Sequence, residues 1–171
     1  MRPPASIRQA RAGRWPRQRE YQAMDAGGET DFNMEEWPFY WLTRFSGRYL
    51  QQMELALKPI GLDVAQWRVL MALRDRERLS VSEIADHAIA KLPTMTKIIK
   101  RMESDGLVAC APRPSDQRVT EVRLTPEGEA ASREAWAAAN RIYARTFEGV
   151  SARDVASLNR LLRTITRNIV L

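Results

Sequence analysis

Lys91, Thr94, Thr96, Lys97 and Lys100 lie close together, behind and around a Leu92-Pro93 step. Short hydroxyl donors and long ammonium donors at near-helical spacing suit contact with the base edges and phosphates of duplex DNA. Thr96 also offers a methyl group to a thymine. A second set sits in the turn Arg113-Pro114-Ser115-Asp116-Gln117-Arg118. An arginine carried on such a turn is placed to enter a minor groove, where narrow A·T tracts attract it. Arg118 therefore joins the DNA-facing set, and Arg113 and Asp116 are counted with it as the other charged residues of the same turn.

Other chemistries find few residues. His87 is the single histidine and Cys110 the single cysteine, so neither a His-based triad nor a multi-cysteine metal site can be assembled. Glu35-Glu36 falls at a helix start, where carboxylates complement the dipole, and reads as capping rather than acid–base chemistry. No enzyme activity, metal or cofactor is expected. Cys110 in a short strand reads as a small hydrophobe. No apolar run approaches the ~20 residues that span a bilayer, and the arginine-bearing N-terminus has no apolar core of a secretory signal. The expected location is cytoplasmic, with no membrane partner.

The net charge of +6 is unevenly placed. Residues 1–24 carry Arg2, Arg8, Arg11, Arg14, Arg17 and Arg19 against Glu20 alone, so the body is nearly neutral. DNA binding must then rest on a local constellation in the body, not on overall basicity.

Six helices and a hairpin are expected to position these residues. Phe39, Leu42, Phe45, Tyr49 and Met53 recur at spacings of three and four from about Glu35 to Lys58, and Pro59 and Gly61 end the pattern. Asp63 with Gln66 opens a second helix, to about Leu73. Ser80-Val81-Ser82-Glu83 is a capping box for a third. Pro93 suits the first turn of a fourth, which Gly106 ends. Leu107–Cys110 and Val119–Leu124 read as strands, with 111–118 as a polar turn between them. Thr125-Pro126 opens an alanine-rich helix to about Phe147, and Ser151 with Asp154 opens the last. Val155, Leu158, Leu162, Ile165 and Ile169 form a stripe too long for a lone terminal helix in water, so a partner helix is expected.

Helix, helix, recognition-type helix and β-hairpin together make a winged helix-turn-helix. Ser80–His87 would cross the DNA backbone and residues 92–104 would enter the major groove. The fold class is mainly α with a small β-hairpin wing, flanked by N- and C-terminal dimerisation helices.

At these residues the chain resembles the MarR family of transcriptional regulators. The resemblance rests on Ile84-Ala85, Thr94-Met95-Thr96-Lys97, Met102-Glu103-Ser104-Asp105-Gly106-Leu107-Val108, the wing 113–118 and Leu124-Thr125-Pro126-Glu127-Gly128, over roughly 35–170. It implies a homodimer on pseudo-palindromic DNA, usually a repressor, often released by a small phenolic or aromatic carboxylate. By the same resemblance Asp116 braces the wing and Arg118 probes the minor groove.

The implied division is an Arg-rich extension (1–33), a dimerisation helix (34–60), a winged helix-turn-helix domain (61–125) and C-terminal linker and dimerisation helices (126–171). The extension is either a solvated tail or an arm touching DNA phosphates or the partner subunit. Trp41, Arg44, Arg48 and Trp67 lie where the resemblance puts an effector cleft, though the tryptophans also read as core aromatics. An arginine beside aromatic walls suits a planar carboxylate. His87 is either a helix-end surface residue or a further ligand contact. Two other readings compete with the ligand-released repressor: a winged-helix protein acting through protein–protein contacts, and a DNA-binding activator without a small-molecule effector.

Overall fold

A computed structural model describes residues 33–169. The Arg-rich extension, apart from Asn33, lies outside the described residues. The elements in chain order are α1 (Pro38–Leu57), α2 (Val64–Asp75), β1 (Leu79–Ser80), α3 (Val81–His87), α4 (Leu92–Ser104), β2 (Val108–Arg113), β3 (Asp116–Leu124), α5 (Pro126–Thr146) and α6 (Ala152–Asn168). Single 3-10 turns, Met34–Glu36 and Lys58–Ile60, flank α1. The chain divides into two units, Met1–Thr43 and Arg44–Leu171, and the core and sheet belong to the second.

Local chemistry sets the helix ends. Asp63 Oδ1 accepts from the Gln66 amide at 2.8 Å while Gln66 Oε1 accepts from the Asp63 amide at 3.0 Å. Ser80 and Glu83 make the same reciprocal pair at the start of α3, at 3.2 and 2.7 Å. Each box satisfies amides that a helix start leaves unpaired, and losing such a cap costs about 1 kcal/mol. Gly61, Gly106 and Gly149 adopt left-handed conformations where α1, α4 and α5 give way to turns. Thr125 Oγ1 accepts from the Gly128 amide at 3.0 Å and donates to the Gly106 carbonyl at 2.6 Å, so the cap of α5 is tied to the end of α4.

The helical faces converge on one core. Met53 and Leu57 of α1, Leu70 of α2, Ile84 of α3, Met95 and Met102 of α4 and Val122 of β3 are fully buried. By contrast, α6 buries no residue: Leu158, Leu161 and Ile165 are exposed along it, and so is Ile169 just past its end.

The sheet differs from the sequence expectation in two ways. A third strand, β1, pairs Leu79 with Val122 and Ser80 with Glu121, giving the order β1-β3-β2. It is too short to show periodicity, and Ser80 passes directly from strand to helix cap. The hairpin is also longer than expected. Pairing continues to Arg113 opposite Asp116, leaving Pro114 and Ser115 as the turn. Pro112 is compatible with this because β2 is an edge strand, where a missing amide is tolerated.

Ile89, between α3 and α4, has φ 52° and is 94% exposed. A β-branched residue held left-handed strains the chain by roughly 1–2 kcal/mol, a strain glycine does not feel. Ile89→Gly should therefore raise stability by about 1 kcal/mol, the strain relieved less glycine's added unfolded-state entropy. Denaturant titration checks this; a destabilised variant would mean that Ile89 makes compensating contacts.

Candidate nucleic-acid interface

Met95, Ile99 and Met102 anchor α4 in the core at spacings of four and three. The helix period then places Thr94, Lys97, Lys100 and Arg101 on the opposite side, and all four are exposed. Lys91 occupies the N-cap and is exposed too. The positive end of the helix dipole and the ammonium groups attract phosphates in the same sense. Thr96 is half-buried, and its hydroxyl donates to the Leu92 carbonyl at 2.9 Å. Its proton is thus engaged, and its methyl and lone pairs are what it can offer a base. Arg101, which the sequence did not single out, pairs with Asp63, so α4 is braced against the cap of α2.

At the wing, Asp116 Oδ1 accepts from the Arg118 amide at 3.1 Å and from Nε at 3.0 Å, while Oδ2 accepts from Nη2 at 3.1 Å. These bonds hold the Asp116 carboxyl below its usual range, the Arg118 side chain contributing most. The Arg118 side chain remains 91% exposed. A cation that is solvated yet held by a two-pronged clamp is aimed outward with little rotamer freedom left to lose on binding.

Arg113 stands differently from the expectation that it faces DNA. Its Nε donates to Glu121 Oε1 at 2.7 Å and its Nη2 to Glu83 Oε2 at 3.1 Å. The guanidinium is therefore engaged by two carboxylates, which the sequence reading did not connect to it. Glu83 is held below the usual carboxylate range, by the Ser80 hydroxyl and amide first and Arg113 after them.

The residues assigned to an effector do not share one setting. Trp67 is 5% exposed and stacks with Trp136, ring centroids 6.3 Å apart, which makes it a core residue with little face left for a ligand. Arg74 Cζ lies 5.2 Å from the Trp136 centroid, an arrangement the sequence did not suggest. Arg44 and Arg48 are exposed on α1, four residues apart and so on one face. Trp41, in the first unit, is half-exposed and donates from Nε1 to the Glu35 carbonyl at 2.8 Å. His87 ends α3 and is exposed. A cavity of about 620 Å³ opens between the end of α2, β3 and the start of α5 and includes none of these five.

The Cys110 thiol is pushed up to about 11, by burial first and Glu103 second. It is protonated at neutral pH and a poor nucleophile. Among the described residues no helix is long and apolar enough to cross a membrane.

Comparison with known proteins agrees with this architecture. A MarR-family profile matches residues 62–120. The HTH-type transcriptional repressor IacR of Pseudomonas putida is 47% identical over 139 residues, covering 81% of this chain and 83% of that protein. The homoprotocatechuate degradative operon repressor of Escherichia coli is 31% identical over 120 residues, covering 66% of this chain and 81% of that protein. The structure of Bordetella bronchiseptica BpsR, whose DNA binding is regulated by 6-hydroxynicotinic acid, aligns with a TM-score of 0.70 at 27% identity. It covers 79% of this chain and 96% of that one. A helix-turn-helix with a lysine-bearing α4, a wing that presents a clamped arginine, and similarity over most of both chains identify a regulator and not an enzyme: the protein belongs to the MarR family of DNA-binding transcriptional regulators.

Proposed function

We propose that the protein is a repressor that holds a pseudo-palindromic operator as a homodimer and leaves it on binding a small aromatic carboxylate or its conjugate. The observation that carries the DNA half is the Asp116–Arg118 clamp, which presents an exposed guanidinium in one fixed direction. The exposed Lys97 and Lys100 of α4 add cationic surface to the same unit, which favours duplex DNA over a protein partner. In this reading α4 enters the major groove and Arg118 the minor groove, with half-sites about one helical turn (~34 Å) apart. Residues 61–125 read the DNA, 34–60 and 126–171 supply the dimer, and the Arg-rich 1–33 adds sequence-independent attraction.

The effector half rests on the relatives and on Arg44 and Arg48. One relative is named for an operon that degrades an aromatic acid, and another is regulated by one. An exposed arginine pair on one face of α1 suits a carboxylate. Because two recognition helices must match one groove spacing, a ligand that favours another separation weakens DNA binding. A tenfold loss needs only ~1.4 kcal/mol of coupling, and DNA must weaken the ligand by the same factor. Calorimetric titration of benzoates and hydroxycinnamates, with and without operator duplex, tests this. Ligand affinity should fall when DNA is present. A panel that neither binds nor releases DNA removes the effector, and binding unchanged in Arg44→Ala and Arg48→Ala removes the arginines from it.

The DNA half has its own test in binding titrations across a salt series. Lys97→Ala should weaken operator binding and lower the salt slope by about one unit if it meets a phosphate. Arg118→Ala should weaken binding and reduce preference for A·T steps beneath the wing. Wild-type affinity in both variants would rule the docking out.

A further inference from the structure

We propose that Arg113 is a positioning residue for DNA binding: it latches the wing to the start of α3 and neutralises two carboxylates beside the wing. This rests on the assignment of the wing to DNA. The register of the hairpin shifts between Pro112 and Arg113. Such an irregularity interrupts strand alternation and re-aims a side chain. Here it sends Arg113 to Glu121 of the central strand and Glu83 of α3 at once, at 2.7 and 3.1 Å.

Both acceptors are already fixed. Glu121 lies in register between Ala111 of β2 and Ser80 of β1. Glu83 Oε2 accepts from the Ser80 amide and the Ser80 hydroxyl, each at 2.7 Å, and Arg113 is the third donor to that oxygen. One guanidinium thereby joins β1, α3, β2 and β3. The Glu121 side chain is 16% exposed and that of Arg113 32%, so this arm of the pairing is partly shielded from the solvent screening that weakens surface ion pairs, whereas Glu83, 45% exposed, is held by its Ser80 bonds.

The latch sits where its effect on DNA binding is greatest. Arg113 is paired with Asp116 as the last step of the ladder before the turn, and Asp116 clamps Arg118. Movement of β2 away from α3 therefore carries Arg118 with it. Loss of Arg113 also strands the charges of Glu83 and Glu121 beside the wing, where they repel phosphates. A direct phosphate contact by Arg113, the reading its sequence position suggests, would fall to Nη1, because Nε and Nη2 are held by the two carboxylates.

The two readings separate in equilibrium binding of the full chain to a duplex selected from a random-sequence pool, measured over a potassium chloride series. Arg113→Ala should weaken binding by about tenfold, the scale of one coupled interaction, while the salt slope changes by well under one unit. Arg113→Lys should recover little of the loss, because an ammonium cannot bridge two carboxylates as a fork does. Arg118→Ala should cost less in the Arg113→Ala background than in wild type, since the wing it probes from is already displaced. Thermal unfolding accompanies each variant; if Arg113→Ala fails to fold, the Arg113→Lys and Arg118→Ala cycle is read instead. A slope lower by about one unit, full recovery with lysine, or strictly additive losses would overturn the latch and make Arg113 a phosphate contact. Should Arg118→Ala itself bind as wild type does, the wing assignment fails and the latch falls with it.

Discussion

Gly128→Ala should cost the protein more than ~3 kcal/mol and cripple the winged lobe, although alanine normally stabilises a helix by about 1 kcal/mol relative to glycine. A Cβ at position 128 would lie 1.8 Å from the Leu107 carbonyl oxygen and 2.9 Å from its carbon. These are backbone atoms and have no rotamer to change. They are also engaged: the Leu107 carbonyl accepts from the Thr125 amide at 3.2 Å, and the Leu107 amide donates to the Met102 carbonyl at 2.9 Å. Room for a methyl requires the start of α5 to lift off Leu107, which breaks the bonds from the Thr125 hydroxyl to the Gly106 carbonyl and from the Thr125 amide to the Leu107 carbonyl. Against a total stability of about 5–15 kcal/mol such a loss is large. The internal control is Gly47→Ala on α1, where an added Cβ meets nothing within 4 Å. Denaturant titration should show Gly47→Ala neutral or stabilising and Gly128→Ala severely destabilised; equal effects would refute the close approach.

The same segment illustrates what the sequence discloses. Thr125-Pro126 announces a helix start through local chemistry, and so do Asp63 with Gln66 and Ser80 with Glu83. Gly106 announces the end of α4 through its backbone freedom. Each of these signals acts within a few residues, so each is legible in a linear string. The buried stripe Met95, Ile99 and Met102 is legible for the same reason. Contacts between distant segments are not. Nothing near Arg113 in the chain points to Glu83, thirty residues away, and the register shift that aims it depends on how two strands pair. Trp67 on α2 looks equally suited to a cleft wall and to a core until Trp136 of α5 is seen to cover it. β1 escaped because two residues leave no period to detect. The wing was foreshortened because Pro112 reads as a breaker unless one knows that its strand lies at an edge. Of the candidate DNA site, the α4 lysines and the Asp116–Arg118 pair were readable, whereas the partners that set the wing's attitude were not.

The second large effect concerns α6. Its start is well fixed: Ser151 Oγ accepts from the Asp154 amide at 3.2 Å and donates to Asp154 Oδ2 at 2.6 Å. Its 17 residues nevertheless bury none of their own side chains within one chain. An isolated helix of this length is marginal in water, and most helical stability comes from packing an apolar face. Val155, Leu158, Leu162, Ile165 and Ile169 recur at alternating spacings of three and four, the pattern of a helix seam. We expect the second copy of the chain to cover that seam, in an interface of the obligate kind above ~2,000 Å². Replacing Leu158 and Ile165 together by glutamate should then yield a species of one 19.6 kDa chain in sedimentation at low micromolar concentration, where the unaltered protein runs at about twice that mass. The core formed by Met53, Leu70, Met102 and Val122 contains neither residue, so the winged lobe should keep its helical circular dichroism. Operator affinity should nonetheless fall by about 10²–10⁴-fold, because a monomer loses the effective concentration that delivers the second recognition helix to its half-site. Binding to random duplex, which one lobe can sustain alone, should fall far less. A double variant that still sediments as a dimer would move the interface elsewhere, and a monomer with undiminished operator affinity would show that one lobe suffices.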